Sequence, residues 1–402
     1  MLFLLIIFIL NLWRLTAYID WEQQKINEVA KINPTETLPE YFEYVDLDSV
    51  KGTSMISHKS FSKNEAPSRA KRLAKKGDIF FQTVRPYQKN NFLFYSRTAS
   101  KFVFSTGYAQ LRPIYNGQYL FSIIQREHFV AQVMRRATGT GYPAINSKDL
   151  MNIPIRIPNS LNEQMYLGKT IDIISTLIND QKKQLTLYES LKKYLLQNLF
   201  PSDGESIPNV RFADFKENWK SYKNKRILKE RNKRIQESLE YPLMSFVKKI
   251  GVVPKGKRYD RSFLVKGNKK KYKVTEFGDF IYSSNNLETG SIGMNKQGKA
   301  VISPVYSIFY SENSNIDQFI SIYFRRNDAI NKLLRFRQGV VYGQWKIHEK
   351  DFLNMNIKIP SKTNREKIIN LFNLLDESIN NIELKIIKLN ALKKYYLQKL
   401  FI

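Results

Sequence analysis

The chain closes each of its halves on nearly the same ten residues: LKKYLLQNLF ends at Phe200 and LKKYYLQKLF ends at Phe401. A heptad written through the first phrase puts a positions at Ile171, Ile178, Leu185 and Lys192. Its d positions are Ile174, Gln181, Tyr188 and Leu195. The same register 201 residues on gives a at Phe372, Ile379, Ile386 and Lys393, and d at Leu375, Ile382, Leu389 and Tyr396. Thirteen of these sixteen positions are apolar or aromatic, which is the pattern of a coiled-coil seam. Pro158 and Pro360 stop the preceding strands, and Pro201 stops the first helix. Each helix then runs for about 38 residues, or about 57 Å at the α-helical rise, longer than a small domain is wide. Two such seams in one chain pair most simply with each other. An antiparallel pair gives an approximate two-fold axis with a globular block at each end.

Read leftward, the duplication continues. KDLMNIPIRIP (148–158) faces KDFLNMNIKIP (350–360), and GDIFF from Gly77 faces GDFIY from Gly278. ATGTGYPAI (137–145) faces RQGVVYGQWKI (337–347) more loosely, and WEQQKI from Trp21 faces WKSYKN from Trp219. The order of features is the same in both halves, so the chain reads as a diverged tandem duplication whose period is far too long for a solenoid. Short β-branched and aromatic runs such as KFVFST, YLFSII and FISIYF read as strands, and REHFVAQVMRRA and RRNDAINKLLRF as short helices. The expected fold class is mixed α/β (α+β): two globular domains joined by two long antiparallel coiled-coil helices. The expected segments are a hydrophobic N-terminal stretch (1–19), a first block (20–158), a first helix (159–200), a second block (201–360) and a second helix (361–402).

Charge says what such blocks meet. The net charge is +29; residues 1–160 carry 21 Lys/Arg against 12 Asp/Glu, and residues 201–360 carry 31 against 16. A basic surface of this strength attracts polyanions, nucleic acid first and an anionic membrane second. The N-terminal apolar run is ten residues long before Asn11, with Arg14 soon after. That is too short to span a bilayer and lacks a basic leading region and a small-residue cleavage site. It reads as an atypical start before a soluble domain near Asp20, with no membrane partner. There is no cysteine, which excludes disulfides and thiolate metal sites and fits a reducing, cytoplasmic compartment.

Basic residues interleaved with aromatics suit phosphate contacts and base-edge readout. In the first half these are SRAKRLAKK (68–76) and TVRPYQKN (83–90), which nominate Ser68, Arg69, Lys71, Arg72, Arg85 and Lys89 as DNA contacts. In the second half, residues 216–273 hold 20 Lys/Arg and 5 acids, and charge density alone nominates Lys257, Arg258 and Arg261. Catalytic signals are missing. No Asn/Asp/Ser-Pro-Pro-aromatic motif of amino-methyltransferases occurs, and the TGTG at 138–141 lacks the Lys-Ser/Thr of a phosphate-binding loop and reads as a turn. Glu383 and Lys385 form an E-x-K on the helix, without an acidic partner in a strand. Three histidines, none paired at ligand spacing, offer no metal centre. No catalytic, cofactor-binding or metal-ligating residue is therefore assigned.

Taken together these phrases resemble the specificity subunit of type I restriction–modification systems over residues 20–402. EAPSRAKRLAKKGDIFFQTVRPYQKN, STGYAQLRP and TGTGYPAINSKDLMNIPIRIP are similar to one type of target-recognition domain in that family. The junctions IPIRIP…NEQ and IKIP…NREK are similar to its entries into the spacer helices. The second half lacks the SRAK and VRP phrases, so its domain belongs to a different recognition type. The resemblance implies a non-catalytic protein that selects double-stranded DNA sequence. It implies docking of two methyltransferase subunits using S-adenosylmethionine on adenine, and of restriction subunits using ATP and Mg²⁺. The alternative from another class is a self-contained nuclease or methyltransferase with an unrecognised site.

Overall fold

A computed structural model describes residues 21–95, 101–215, 217–247, 250–254, 270–288, 290–341 and 344–401. The hydrophobic stretch 1–19 lies outside them. The chain divides into two compact units. One takes the chain up to Lys182 together with the residues from Leu384 onward, and the other is Lys183–Glu383. Both boundaries fall inside the long helices, Leu161–Asn198 and Lys362–Lys399, of 38 residues each. The segmentation expected from sequence set those helices apart, whereas each unit takes the beginning of one helix and the end of the other.

In the first unit the strands Ala30–Ile32, Tyr108–Pro113, Ile79–Gln82 and Phe92–Leu93 form one sheet in that order. A second sheet runs Lys59–Ser62, Tyr41–Val45, Phe102–Ser105, Ala70–Leu73. IFFQ at 79–82 is buried at every position, because the two faces of the strand serve different cores. Ile79 and Phe81 pack with Leu120, Ile123 and Phe129 of two short helices, while Phe80 stacks on Phe104 at 3.6 Å between ring centroids. YLFSII and FISIYF, expected as strands, lie instead in the helices Gly117–Ile124 and Ser314–Tyr323, where the side chains of Asn116 and Asn313 cap the first turn and the apolar run is buried as a helix against the sheet. An antiparallel ribbon closes the unit, pairing Trp21 with Pro158 and Lys25 with Pro154.

The second unit repeats this plan. Lys229–Glu230, Tyr306–Tyr310, Phe280–Ser283 and Ile292–Met294 form a sheet of the same order, and Lys220–Lys223 pairs antiparallel with Asn356–Ile359. The GD of each half is one structural device. Gly77 (φ +90°) and Gly278 (φ +91°) take the left-handed backbone that glycine adopts without a Cβ penalty. Asp78 and Asp279 follow, both 1% exposed. Each accepts a backbone N–H from three residues upstream, Lys75 at 2.8 Å and Glu276 at 2.7 Å. Each also binds an arginine, Arg112 at 2.8 Å and Arg231 at 3.1 Å, which compensates the buried charge.

The repeated phrase has its explanation in the cores. Leu400 and Phe401 are buried in the first unit, where Phe401 stacks on Tyr119 (5.5 Å) beneath Arg126 (5.8 Å). Leu199 and Phe200 are buried in the second, against Trp219 (5.7 Å) and Phe319 (5.8 Å), beneath Arg326 (4.9 Å). The two helices run antiparallel within each unit. In the first, Ile171 shares a core with Leu400, and Ile174 and Ile178 pack with Leu389, beside Tyr396. In the second, Lys192 pairs with Asp376 at 2.5 Å, and Phe200 lies 6.3 Å from Phe372.

The heptad positions differ in depth. Ile171, Ile174, Ile178, Phe372, Leu375 and Leu389 are buried, whereas Leu185, Leu195, Ile379, Ile382, Ile386 and Tyr396 are half-buried. Tyr188 is exposed. Ile171, Phe372 and Leu375 also pack into a domain core, whereas Ile174, Ile178 and Leu389 are buried in a cluster formed by the two helices themselves. Ile178→Asp, which places a carboxylate at a buried site without a partner, is expected to cost several kcal/mol of stability. Ile379→Asp, at a half-buried site, is expected to cost markedly less. Denaturant midpoints of the two variants check this, and equal losses contradict the burial gradient.

Candidate nucleic-acid interface

Backbone hydrogen bonds gather four separate phrases of the first half at one place. The Thr106 amide donates to the Arg69 carbonyl at 2.8 Å, joining STG to SRAKR. The Thr83 amide and hydroxyl both donate to the Gly107 carbonyl, at 3.0 and 2.8 Å, joining TVRP to STG. The Ile145 amide donates to Thr83 at 3.0 Å and the Arg85 amide to Pro143 at 2.7 Å, joining TGTGYPAI to TVRP. The TGTG run is a tight turn: Thr138 and Ala144 exchange two bonds of 2.9 Å across it. At Gly139, with φ +95°, a Cβ would come within 3.1 Å of the Tyr142 carbonyl, so the turn needs glycine there.

The six nominated residues of this half fall into distinct settings. Arg85 has φ +53° and Lys89 φ +55°, the left-handed region that bulky residues enter at a cost, and they flank the one short turn Pro86–Gln88. Amide side chains hold that turn: Asn91 accepts from the Gln82 amide at 2.8 Å, and Gln82 donates to Gln88 at 3.0 Å. The Arg85 guanidinium consequently lies 4.0 Å over the exposed Tyr142 ring. Arg72 and Arg85 are both half-buried, and the Nε of each is buried without a hydrogen-bond partner. Burial lowers the pKa of Arg72 from the usual arginine value without discharging it. Ser68, Arg69 and Lys71 are exposed, whereas Lys89 is held by Glu127 at 2.6 Å.

In the second half, Lys257, Arg258 and Arg261 lie outside the described residues. The duplication locates the corresponding place. Ser284 stands where Thr83 stands, 201 residues on, and its hydroxyl accepts the Ile347 amide at 3.0 Å. Arg337 donates twice to the Ser284 carbonyl, at 3.0 and 2.7 Å, pairs with Glu288, and lies 5.7 Å from the exposed Trp345 ring. This arginine–aromatic pair matches Arg85–Tyr142 in kind. Charge density pointed elsewhere; the facing of RQGVVYGQWKI with ATGTGYPAI was the signal that locates it. Other basic residues of the second half are engaged internally: Arg231 with Asp279 and the Tyr310 ring (4.3 Å), Lys229 with Glu312 at 2.5 Å.

Among the described residues no group of three or more His, Cys, Asp or Glu could hold a metal ion, and no helix is long and apolar enough to cross a membrane. Arginines beside aromatic rings, on loops fixed by backbone bonds, are groups that contact phosphates and base edges.

Residues 18–193 match the family model of the type I restriction modification DNA specificity domain. A stretch of 95 residues is 30% identical to the type I restriction enzyme MjaVIII specificity subunit of Methanocaldococcus jannaschii, covering 24% of this chain and 22% of that one. Over 205 residues the chain is 22% identical to the type I restriction enzyme HindI specificity subunit of Haemophilus influenzae, covering 46% and 40%. These similarities span less than half the length of either relative. The fold is similar to the crystal structure of the type I restriction–modification S subunit from M. genitalium, with TM-score 0.62 and 14% identity over 96% of this chain and 98% of that one.

Proposed function

We propose that this chain, whose residues 18–193 match the type I restriction modification DNA specificity domain, reads DNA sequence for a type I complex and performs no chemistry itself. The observation that carries this reading is the gathering of SRAKR, STG, TVRP and TGTGYP at one place in the first unit. The second unit presents a different arginine–aromatic pair on the same scaffold, so its half-site differs. In the proposed assembly two methyltransferase subunits supply S-adenosylmethionine chemistry on adenine. Restriction subunits use ATP and Mg²⁺ to cleave. The purified chain with DNA, S-adenosylmethionine and Mg²⁺ is expected to give no reaction, and methylation or cleavage by the chain alone would favour a self-contained enzyme.

The test is a map of methylated adenines in DNA from cells carrying this chain with its methyltransferase partner. The expected target is bipartite and asymmetric, with an unread gap. Exchanging residues 20–158 for those of a relative should change one half-site and leave the other and the gap intact. A continuous palindrome, or a change in both half-sites at once, overturns the reading.

A further inference from the structure

In the first unit, the start of the helix Glu127–Arg136 faces the last turns of the second long helix across a cavity of about 440 Å³. Lys89, Gln125, Arg126, His128, Lys393 and Lys394 line it. A second cavity of about 220 Å³ shares Lys89, Gln125 and Lys393 and reaches Lys182. Arg126, at the N-cap, places no side-chain cap on the first amides of the helix. Those amides and the helix dipole present partial positive charge to the cavity.

Gln125 is 8% exposed and its Nε2 has no hydrogen-bond partner. A buried donor left unpaired loses its hydration with nothing in exchange, so such an atom calls for a ligand. Lys393 is half-buried; burial lowers its pKa to about 8, Lys182 and, less strongly, Lys89 lower it as like charges, and Asp172 opposes them. Glu127, also on the lining, is neutralised by Lys89 at 2.6 Å. Cations thus converge with an unsatisfied amide and a helix N-terminus on one space, and an anion with several acceptor oxygens relieves all three.

We propose that this cavity binds a phosphate group, with Lys393 and the Gln125 amide as donors and the start of the helix Glu127–Arg136 supporting the charge. The phosphate comes from the DNA backbone or from a free phosphate. The site shares Lys89 with the turn that follows Thr83 and Arg85, but its donors Lys393 and Gln125 lie outside those loops, so it does not depend on the reading proposed for them.

Inorganic phosphate is titrated calorimetrically into the full chain, ionic strength being held constant with chloride. The parent, Lys393→Gln, Gln125→Leu and the exposed-charge control Lys31→Gln are compared. The parent and the control are expected to bind at one site, Lys393→Gln roughly tenfold or more weaker, as befits a lost charged hydrogen bond, and Gln125→Leu weaker than the parent. Lys393→Gln removes a partly desolvated charge, so it should keep or raise the melting temperature, which separates lost binding from lost folding. A random-sequence duplex forms the second arm. If Lys393→Gln weakens duplex binding beyond the control, the phosphate belongs to DNA. If phosphate binding alone falls, the ligand is free phosphate. If Lys393→Gln matches the control in both arms, the proposal is overturned.

Discussion

Between 50 and 200 mM salt, the affinity of this chain for duplex DNA is expected to fall by about 10³–10⁵-fold. The magnitude follows from releasing counterions at roughly 6–10 neutralised phosphates. The net charge of +29 and the exposed Arg69 and Lys71 supply cations for such contacts. Individual residues should separate by role. Lys71→Ala, the loss of an exposed point charge, should lower the slope of log affinity against log salt by about 1 and act alike on all sequences. Arg85→Ala, the loss of a guanidinium fixed over Tyr142 at 4.0 Å, should cost about 1–3 kcal/mol and relax discrimination within one half-site. A nearly flat salt response defeats the electrostatic account of binding.

Phe401→Ala is expected to destabilise the first unit by about 3–5 kcal/mol, the usual cost of emptying a buried aromatic site. The ring is 1% exposed, stacked on Tyr119 and covered by Arg126. Phe200→Ala, also at a site 1% exposed, should cost a similar amount in the second unit. Hydrogen exchange locates each loss. Phe401→Ala should lower protection at Tyr119, Leu120 and Ile123, and Phe200→Ala at Phe319, Ile320 and Tyr323. Equal loosening at both sets in either variant contradicts the assignment of the two rings to separate cores.

The long helices were legible because their signal is local and redundant: four heptads each, proline before both and after the first. The correspondence of the two GD phrases was legible too, since glycine followed by aspartate recurs at a spacing of 201, but the left-handed backbone and the buried aspartate–arginine pair at each were not read from it. The geometry of the candidate interface was less legible. SRAKR and TVRPYQKN stood out by composition, but the bonds that unite them through Gly107, Thr83 and Pro143 join residues far apart in sequence. The left-handed backbone at Arg85 and the ring of Tyr142 beneath it follow from that closure, and no periodicity encodes them. In the second half, counting charges favoured Lys257, Arg258 and Arg261, which lie outside the described residues, while the pairing of Arg337 with Trp345, fixed by the carbonyl of Ser284, has no signal in composition. The helices Leu161–Asn198 and Lys362–Lys399 fall within the segments expected for them, but a heptad marks only where a helix runs, while burial of Phe200 and Phe401 decides which core owns its ends.

The ownership of those ends bears on the order in which the molecule is made. Lys183–Glu383 is one continuous stretch and can complete its core as soon as it leaves the ribosome. The other unit holds its earliest strands ready but lacks Leu389, Leu400 and Phe401 until synthesis has passed through all of the second unit. Until then the sites around Tyr119 and Ile174 stand open, a nascent apolar surface for a chaperone to cover. Domains synthesised first ordinarily fold first; here the later one finishes first, and the earlier one is sealed by the helix that follows it.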